Sequence, residues 1–294
     1  MTLSRISRTI HIAAISMACA AVPAVAEITY GKAFVFGNTL EQTGADDFSL
    51  DAVGGAVEFV FGDLTLNGDI AHFLVDGSDF DFTSLLASYR LPNDVHVGLE
   101  ISSNDPGFGS NTVVQGRIFG DLGANATWGL GLGQQNPTGD TVYSVFGAWD
   151  IGSSGRLGAD VISSDGDTFF ASYANYDLTG YTIGADVLLS DGLDYATVEG
   201  SYDFTERFAL LGEVTVADLD GTGVNILRIG VSYELAPGTS ILAKYGRLNP
   251  DGFDNIDILT VGLRYEFGRK TSVLRTFNSV IQDATTVLSG IGTY

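Results

Sequence analysis

Cysteine is almost missing from this chain: of its 294 residues only Cys19 is one, and Cys19 lies in an N-terminal segment that reads as a removable leader. Arg5 and Arg8 form a basic start, Ile10 to Val22 is mostly apolar, and Ala24-Val25-Ala26 is a small-x-small cleavage site, so cleavage is expected after Ala26. A lipoprotein leader built on Cys19 is the competing reading, but Ser16 stands where such a leader carries leucine. With Cys19 gone, a small disulfide-stapled scaffold is excluded. Basic residues are also scarce, 14 Lys and Arg against 36 Asp and Glu, for a net charge of −22. Loss of Arg5 and Arg8 with the leader takes it to −24. Phosphate backbones would be repelled, so nucleic acid is excluded as a partner. Beyond the leader no run of about 18 apolar residues exists, so no membrane helix is available.

What is abundant points elsewhere. There are 38 glycines, 18 Phe and 12 Tyr, yet only 17% of residues are charged and the mean hydropathy is positive, +0.21. Low charge density with many glycines and aromatics fits a protein whose outer surface is not wetted by water.

The octapeptide TVGLRYEF, Thr260 to Phe267, alternates at the period of a strand. Val261, Leu263, Tyr265 and Phe267 share one face; Thr260, Gly262, Arg264 and Glu266 share the other. Variants recur upstream as RIGVSYEL from Arg228, TVEGSYDF from Thr197, FASYANYDL from Phe170, SVFGAWDI from Ser144, VQGRIFGDL from Val114 and LLASYRL from Leu85. Their spacing of about 30 residues is that of a hairpin of two membrane-length strands. Each copy runs into a tight turn, such as LPND or APGT, whereas the alternate connectors are acidic, such as SSDGD near Asp165 and NPDGFDN near Asp251. Aromatics gather at the turn end: Tyr89, Phe119, Trp149, Tyr176, Tyr202, Tyr233 and Tyr265. A soluble sandwich or propeller would hold them in its core; a membrane interface places them in a belt.

The pattern predicts an all-β fold: a transmembrane antiparallel β-barrel of about sixteen strands over residues 27–267, between a leader at 1–26 and a tail at 268–294. The tail carries Val273, Leu274, Phe277, Val280, Ile281, Ala284, Val287, Leu288 and Ile291 at helical spacing. Three readings stay open for it: an amphipathic helix packed in the lumen or on the rim, a mobile tail, or one more hairpin.

On these residues the chain resembles the porins of Gram-negative bacteria, in particular the acidic, cysteine-free porins of alphaproteobacteria. Thr260, Gly262, Tyr265 and Phe267 match the signal by which the barrel assembly machinery recognises a last strand. The resemblance implies an outer-membrane location, contact with outer-membrane lipid, and a water-filled channel for passive diffusion of small hydrophilic solutes or ions. It also implies a homotrimer. Two features depart from the family. The connector from Ser102 to Asn111 is too short for the usual lumen-folded third loop, and the long second loop that latches neighbouring subunits has no counterpart. The family's chain also ends at its last strand, whereas here Arg269 to Tyr294 follow.

If the apolar alternates face lipid, the charged alternates face the lumen: Glu58, Glu100, Arg117, Asp186, Glu199, Glu213, Arg228, Lys244 and Arg264. Placing a base in hydrocarbon at mid-membrane would cost about 2–4 kcal/mol. Arg228, Lys244 and Arg264 come from three successive strands, while Asp177, Asp186, Glu199, Asp203 and Glu213 crowd the strands before them. The expectation is a basic wall beside an acidic one, a transverse field, and cation preference. The alternative is a non-conducting structural or adhesion barrel closed by its tail. Catalysis is not expected. Beyond the leader only His72 and His96 remain, read as lying on neighbouring strands at opposite rims. No cofactor or metal is expected either: no acidic connector has EF-hand spacing, and GLGLGQ from Gly129 opens no helix that could bind phosphate.

Overall fold

The computed structural model describes residues 27–42, 48–75, 78–105, 110–219 and 221–268. The leader with its expected cleavage point at Ala26, and the tail from Arg269, lie outside the described residues. The first eight strands are β1 (Glu27–Gln42), β2 (Phe48–Phe61), β3 (Leu64–Val75), β4 (Ser78–Arg90), β5 (Val95–Asp105), β6 (Asn111–Asp121), β7 (Ala126–Asn136) and β8 (Thr141–Ile151). The rest are β9 (Gly155–Ser164), β10 (Asp167–Leu178), β11 (Tyr181–Leu189), β12 (Leu193–Asp203), β13 (Phe208–Leu219), β14 (Thr222–Ala236), β15 (Thr239–Pro250) and β16 (Ile256–Gly268). Each pairs antiparallel with its sequence neighbours, and β1 pairs with β16 from Tyr30↔Gly268 to Gln42↔Ile256, closing the barrel. The sixteen strands match the sequence expectation, and closure leaves no edge to satisfy in an apolar medium.

The wall separates side chains by period two. On β14, Arg228 is 1% exposed and its neighbour Ile229 is 66% exposed. The same inversion holds elsewhere: Glu58, Glu100 and Glu213 are buried, while Leu99, Leu132, Val198 and Leu227 are exposed. Charges therefore point inward and aliphatics outward, the reverse of a soluble domain.

At the rim of tight turns Tyr89, Trp149, Tyr176, Tyr202 and Tyr265 are exposed on the outer face. Phe119 departs from the expected belt. It is buried on the inner face, stacked on His96 at 4.7 Å between centroids and near Phe146 at 6.4 Å. Its place in β6 has the parity of Gln115 and Arg117, so strand alternation overrides its position near the turn.

Many glycines serve close approach of rings. At the seam Phe36 faces Gly262, where a Cβ would sit 1.9 Å from the Phe36 ring; Phe267 faces Gly31, where a Cβ would sit 2.3 Å from the Phe267 ring. The first pair lies inside and the second outside, so β1 and β16 are joined by aromatic-on-glycine contacts on both faces.

Candidate functional site: the inner wall

Ordered by distance from the rim of acidic connectors, the inner face falls into bands. Just inside that rim runs an apolar band that includes Val113, Val142, Ile162, Leu188, Tyr195, Val224 and Ile258. Below it lies a belt of buried polar and charged groups, assembled around two clusters.

The first cluster spans β5 to β8. Arg117 Nε lies 2.6 Å from Glu100 Oε2, and the same carboxylate accepts from Gln115 Nε2 at 2.9 Å and Ser102 Oγ at 2.6 Å. Ser144 Oγ on β8 donates to Gln115 Oε1 at 3.2 Å, across the whole width of β7. That reach depends on the glycines of GLGLGQ: a Cβ on Gly131 would stand 2.2 Å from Ser144 Oγ and 2.7 Å from Gln115 Oε1. The run is therefore a gap in the inner wall through which β6 and β8 touch.

The second cluster spans β13 to β15. Glu213 binds Arg228 Nη1 through one oxygen and Lys244 Nζ through the other, the latter at 3.0 Å. Gly246 lies opposite Arg228, and Gly230 opposite Lys244. A Cβ on Gly246 would come within 2.5 Å of Arg228 Cγ, and one on Gly230 within 2.8 Å of Lys244 Cγ, so each base lies flat along the wall.

The other candidate charges occupy the same inner face. Glu58 accepts from Thr29 Oγ1 at 2.6 Å. Asp186 and Glu199 are buried on β11 and β12, and Glu199 faces Glu213 directly across the β12–β13 ladder. Arg264 stands apart. Strand register places Lys244 opposite Thr260, so Arg264 sits nearer the turn rim, with Nε 4.0 Å from Glu266 Oε2. The basic wall expected from Arg228, Lys244 and Arg264 is thus divided: two bases clamp one acid at mid-wall, and the third belongs to a vestibule.

That vestibule is a cavity of about 500 Å³ at the turn rim between β10 and β16. Its lining includes Asp177, Asp203, Glu206, Glu234 and Glu266 against Arg207 and Arg264, so acids dominate. Thr182, Ser201, Thr205, Ser232 and Ser240 complete the polar lining.

The histidines do not form a site together. His72 on β3 and His96 on β5 are separated by β4, not on neighbouring strands as the sequence suggested, because β4 (Ser78–Arg90) occupies the interval between them. His72 faces outward by strand parity, with Nδ1 2.7 Å from Asp81 Oδ1 and Nε2 3.6 Å from Asp79 Oδ1. His96 points inward against Phe119. Among the described residues no group of three His, Cys, Asp or Glu side chains is placed to hold a metal.

Of the residues read as an assembly signal, Thr260 and Gly262 face inward, Tyr265 and Phe267 outward. Gly262 and Phe267 are the seam residues already described. Gln115, Ser102 and Ser144 were not singled out from sequence. Their signal is the alternation of glycines in β7, which marks a strip of wall where neighbours can meet.

No family model matches the chain and no curated protein matches it. Its backbone is similar to solved porin structures. One is a triple mutant of the Rhodopseudomonas blastica porin, at TM-score 0.52 and 16% identity, covering 82% of this chain and 100% of that one. Another is the low-pH structure of OprB from Pseudomonas putida, at TM-score 0.59 and 8% identity, covering 82% of this chain and 92% of that one. These likenesses establish a porin-type barrel fold.

Proposed function

We propose that the chain is an outer-membrane channel through which small hydrophilic solutes and ions diffuse passively, and not an enzyme. The observation that carries this reading is the inverted wall, with Arg228, Lys244, Glu100 and Glu213 inside and an aliphatic surface outside. An apolar exterior about as tall as strands of 9 to 16 residues suits a bilayer, and a barrel of this strand number has room for a water path. The leader ending at Ala26 takes the chain out of the cytoplasm. The barrel assembly machinery then reads Thr260, Gly262, Tyr265 and Phe267 and inserts the barrel among outer-membrane lipids. Cation preference follows from acids on β9 to β12, namely Asp160, Asp186 and Glu199, and from the acid-rich vestibule. The test is single-channel recording in planar bilayers with a salt gradient, together with swelling of liposomes in sugars of graded size. Conductance with a cation-selective reversal potential supports the reading. A folded, inserted barrel that passes neither ions nor sugars overturns it.

A further inference from the structure

Five strands that descend to the turn rim end in an aromatic followed at once by an acid: Trp149-Asp150, Tyr176-Asp177, Tyr202-Asp203, Tyr233-Glu234 and Tyr265-Glu266. Strand alternation sends the two halves of each pair to opposite faces. The aromatic turns outward to the belt, and the acid turns into the mouth of the barrel.

Register puts these acids at one height. Asp150 is opposite Arg156, which is opposite Asn175, two residues before Asp177. The step of two strands across and two residues along then repeats: from Asp177 through Thr182 and Ser201 to Asp203, and from Asp203 through Ala209 and Ser232 to Glu234. It repeats once more through Ser240 and Arg264 to Glu266. Two residues rise about 6.7 Å while two strands span about 9.6 Å, so the line of acids runs at about 35° to the direction of the ladder bonds. Strands of a membrane barrel tilt by about that angle. The offset therefore cancels the tilt, and the acids lie level around the mouth at intervals of about 12 Å.

Compensation along this line is uneven. Asp150 Oδ1 accepts from Arg156 Nε at 2.6 Å, and Glu266 lies 4.0 Å from Arg264 Nε and opposite Lys32. Asp177 and Asp203, both exposed, have no side-chain hydrogen bond or ion pair among the described residues. Glu234 takes only the backbone N–H of Gly238, at 3.2 Å. Glu206 and Arg207, in the β12–β13 turn, add one charge of each sign. The arc from β10 to β14 thus keeps a surplus of three negative charges, and its acids line the water-filled vestibule. At mid-wall the balance differs, since Glu100 and Glu213 are buried and each is bound to a base. Deeper on the side of the arc, Asp186 on β11 and Glu199 on β12 carry the acidic lining onward.

We infer that Asp177, Asp203 and Glu234 form a cation filter at the turn-rim mouth, which draws small cations in along the β10–β14 arc and turns anions away. The inference rests on the channel reading and says where in the barrel its ion preference is set. Sixteen strands about 4.8 Å apart, tilted by about 40°, close a wall about 30 Å across, which leaves a carboxylate at the mouth about 10 Å from an ion on the axis. Reversal potentials in planar bilayers supply the test. At about 0.15 M salt, replacing Asp177→Asn, Asp203→Asn and Glu234→Gln together lowers the cation-to-anion permeability ratio about threefold, each charge acting with opposite sign on cation and anion through screened water. At about 1 M salt the Debye length falls to about 3 Å and the two chains converge. A second variant changes the charge after folding. The only cysteine, Cys19, lies in the leader, so Asp203→Cys offers a single thiol to a cationic trimethylammonium or an anionic sulfonate thiosulfonate reagent. With labelling confirmed by mass, the two products differ about twofold in permeability ratio at about 0.15 M salt, the anionic one being the more cation-selective. Three results overturn the filter and leave the channel reading intact: a triple variant with the wild-type potential, a gap that salt does not close, or two labelled products with one potential. An inserted wild-type barrel that carries no current overturns both. If the triple variant does not fold, the labelled Asp203→Cys channel still decides.

Discussion

Replacing Gly262 by alanine adds one methyl at the seam, and the geometry says where it goes: 1.9 Å from a ring carbon of Phe36, inside any van der Waals contact. Phe36 is buried, facing Gly262 across the β1–β16 ladder, and its ring packs at 5.4 Å from that of Phe34. The ring has to leave its rotamer or the strands have to part, an overpacking cost of about 1–3 kcal/mol. Clearing the space with Phe36→Ala removes the clash, so Gly262→Ala in that background costs close to nothing, and the double-mutant cycle shows a coupling of about the size of the single-mutant penalty. The assay is refolding into lipid vesicles from urea, with the folded fraction read by heat-dependent gel mobility and midpoints compared across the four variants. No assembly machinery is present, so a defect there cannot come from failed recognition of the terminal signal. Wild-type stability of Gly262→Ala, or an equal penalty with and without Phe36, would refute the steric account and return Gly262 to a recognition role alone.

Three further outcomes are expected. Glu213→Gln strips the counter-charge from buried Arg228 and Lys244 and destabilises the barrel by about 3–5 kcal/mol, seen as a lower urea midpoint in vesicles. Glu199→Gln lowers the cation-to-anion permeability ratio about two- to threefold, the effect of a unit charge about 7 Å from a passing ion in water at about 0.15 M salt, acting with opposite sign on cation and anion, measured as a reversal potential; His72→Ala, on the outer face, leaves that ratio where it was. Gly131→Val drives a branched side chain between Gln115 and Ser144 and parts the β6 and β8 contacts, which lowers the urea midpoint by an amount equivalent to about 1–3 kcal/mol.

Strand number, antiparallel order and the two chemically distinct rims were legible because each rests on local pattern. Period-two alternation assigns a face, and turn chemistry assigns a reversal. The inward parity of Arg228, Lys244 and Glu213 came from the same rule. Their association did not, since it depends on register: only the pairing of Glu213 with Arg228 and of Gly230 with Lys244 brings both bases to one carboxylate. Arg264 shows the limit. It sits on the next strand with the same parity, yet register carries it toward the turn rim and away from the other two. Phe119 lies near a turn, where a belt residue is expected, but strand parity turns it inward. His72 and His96 stand 24 positions apart, room for the whole of β4 between their strands. The glycines of β7 read as relief in a curved wall; their part in letting Gln115 meet Ser144 needs three strands in view at once.

The ladder between β1 and β16 carries a consequence for biogenesis. Residues such as Phe34 and Arg264 are partners, though every other strand of the barrel lies between them in sequence. Joining ends so remote in the chain is entropically slow, and until it happens two strand edges are left bare. A barrel of this design gains nothing by maturing in instalments: β1 keeps a bare edge until β16 is made, and closure then completes the wall in one act.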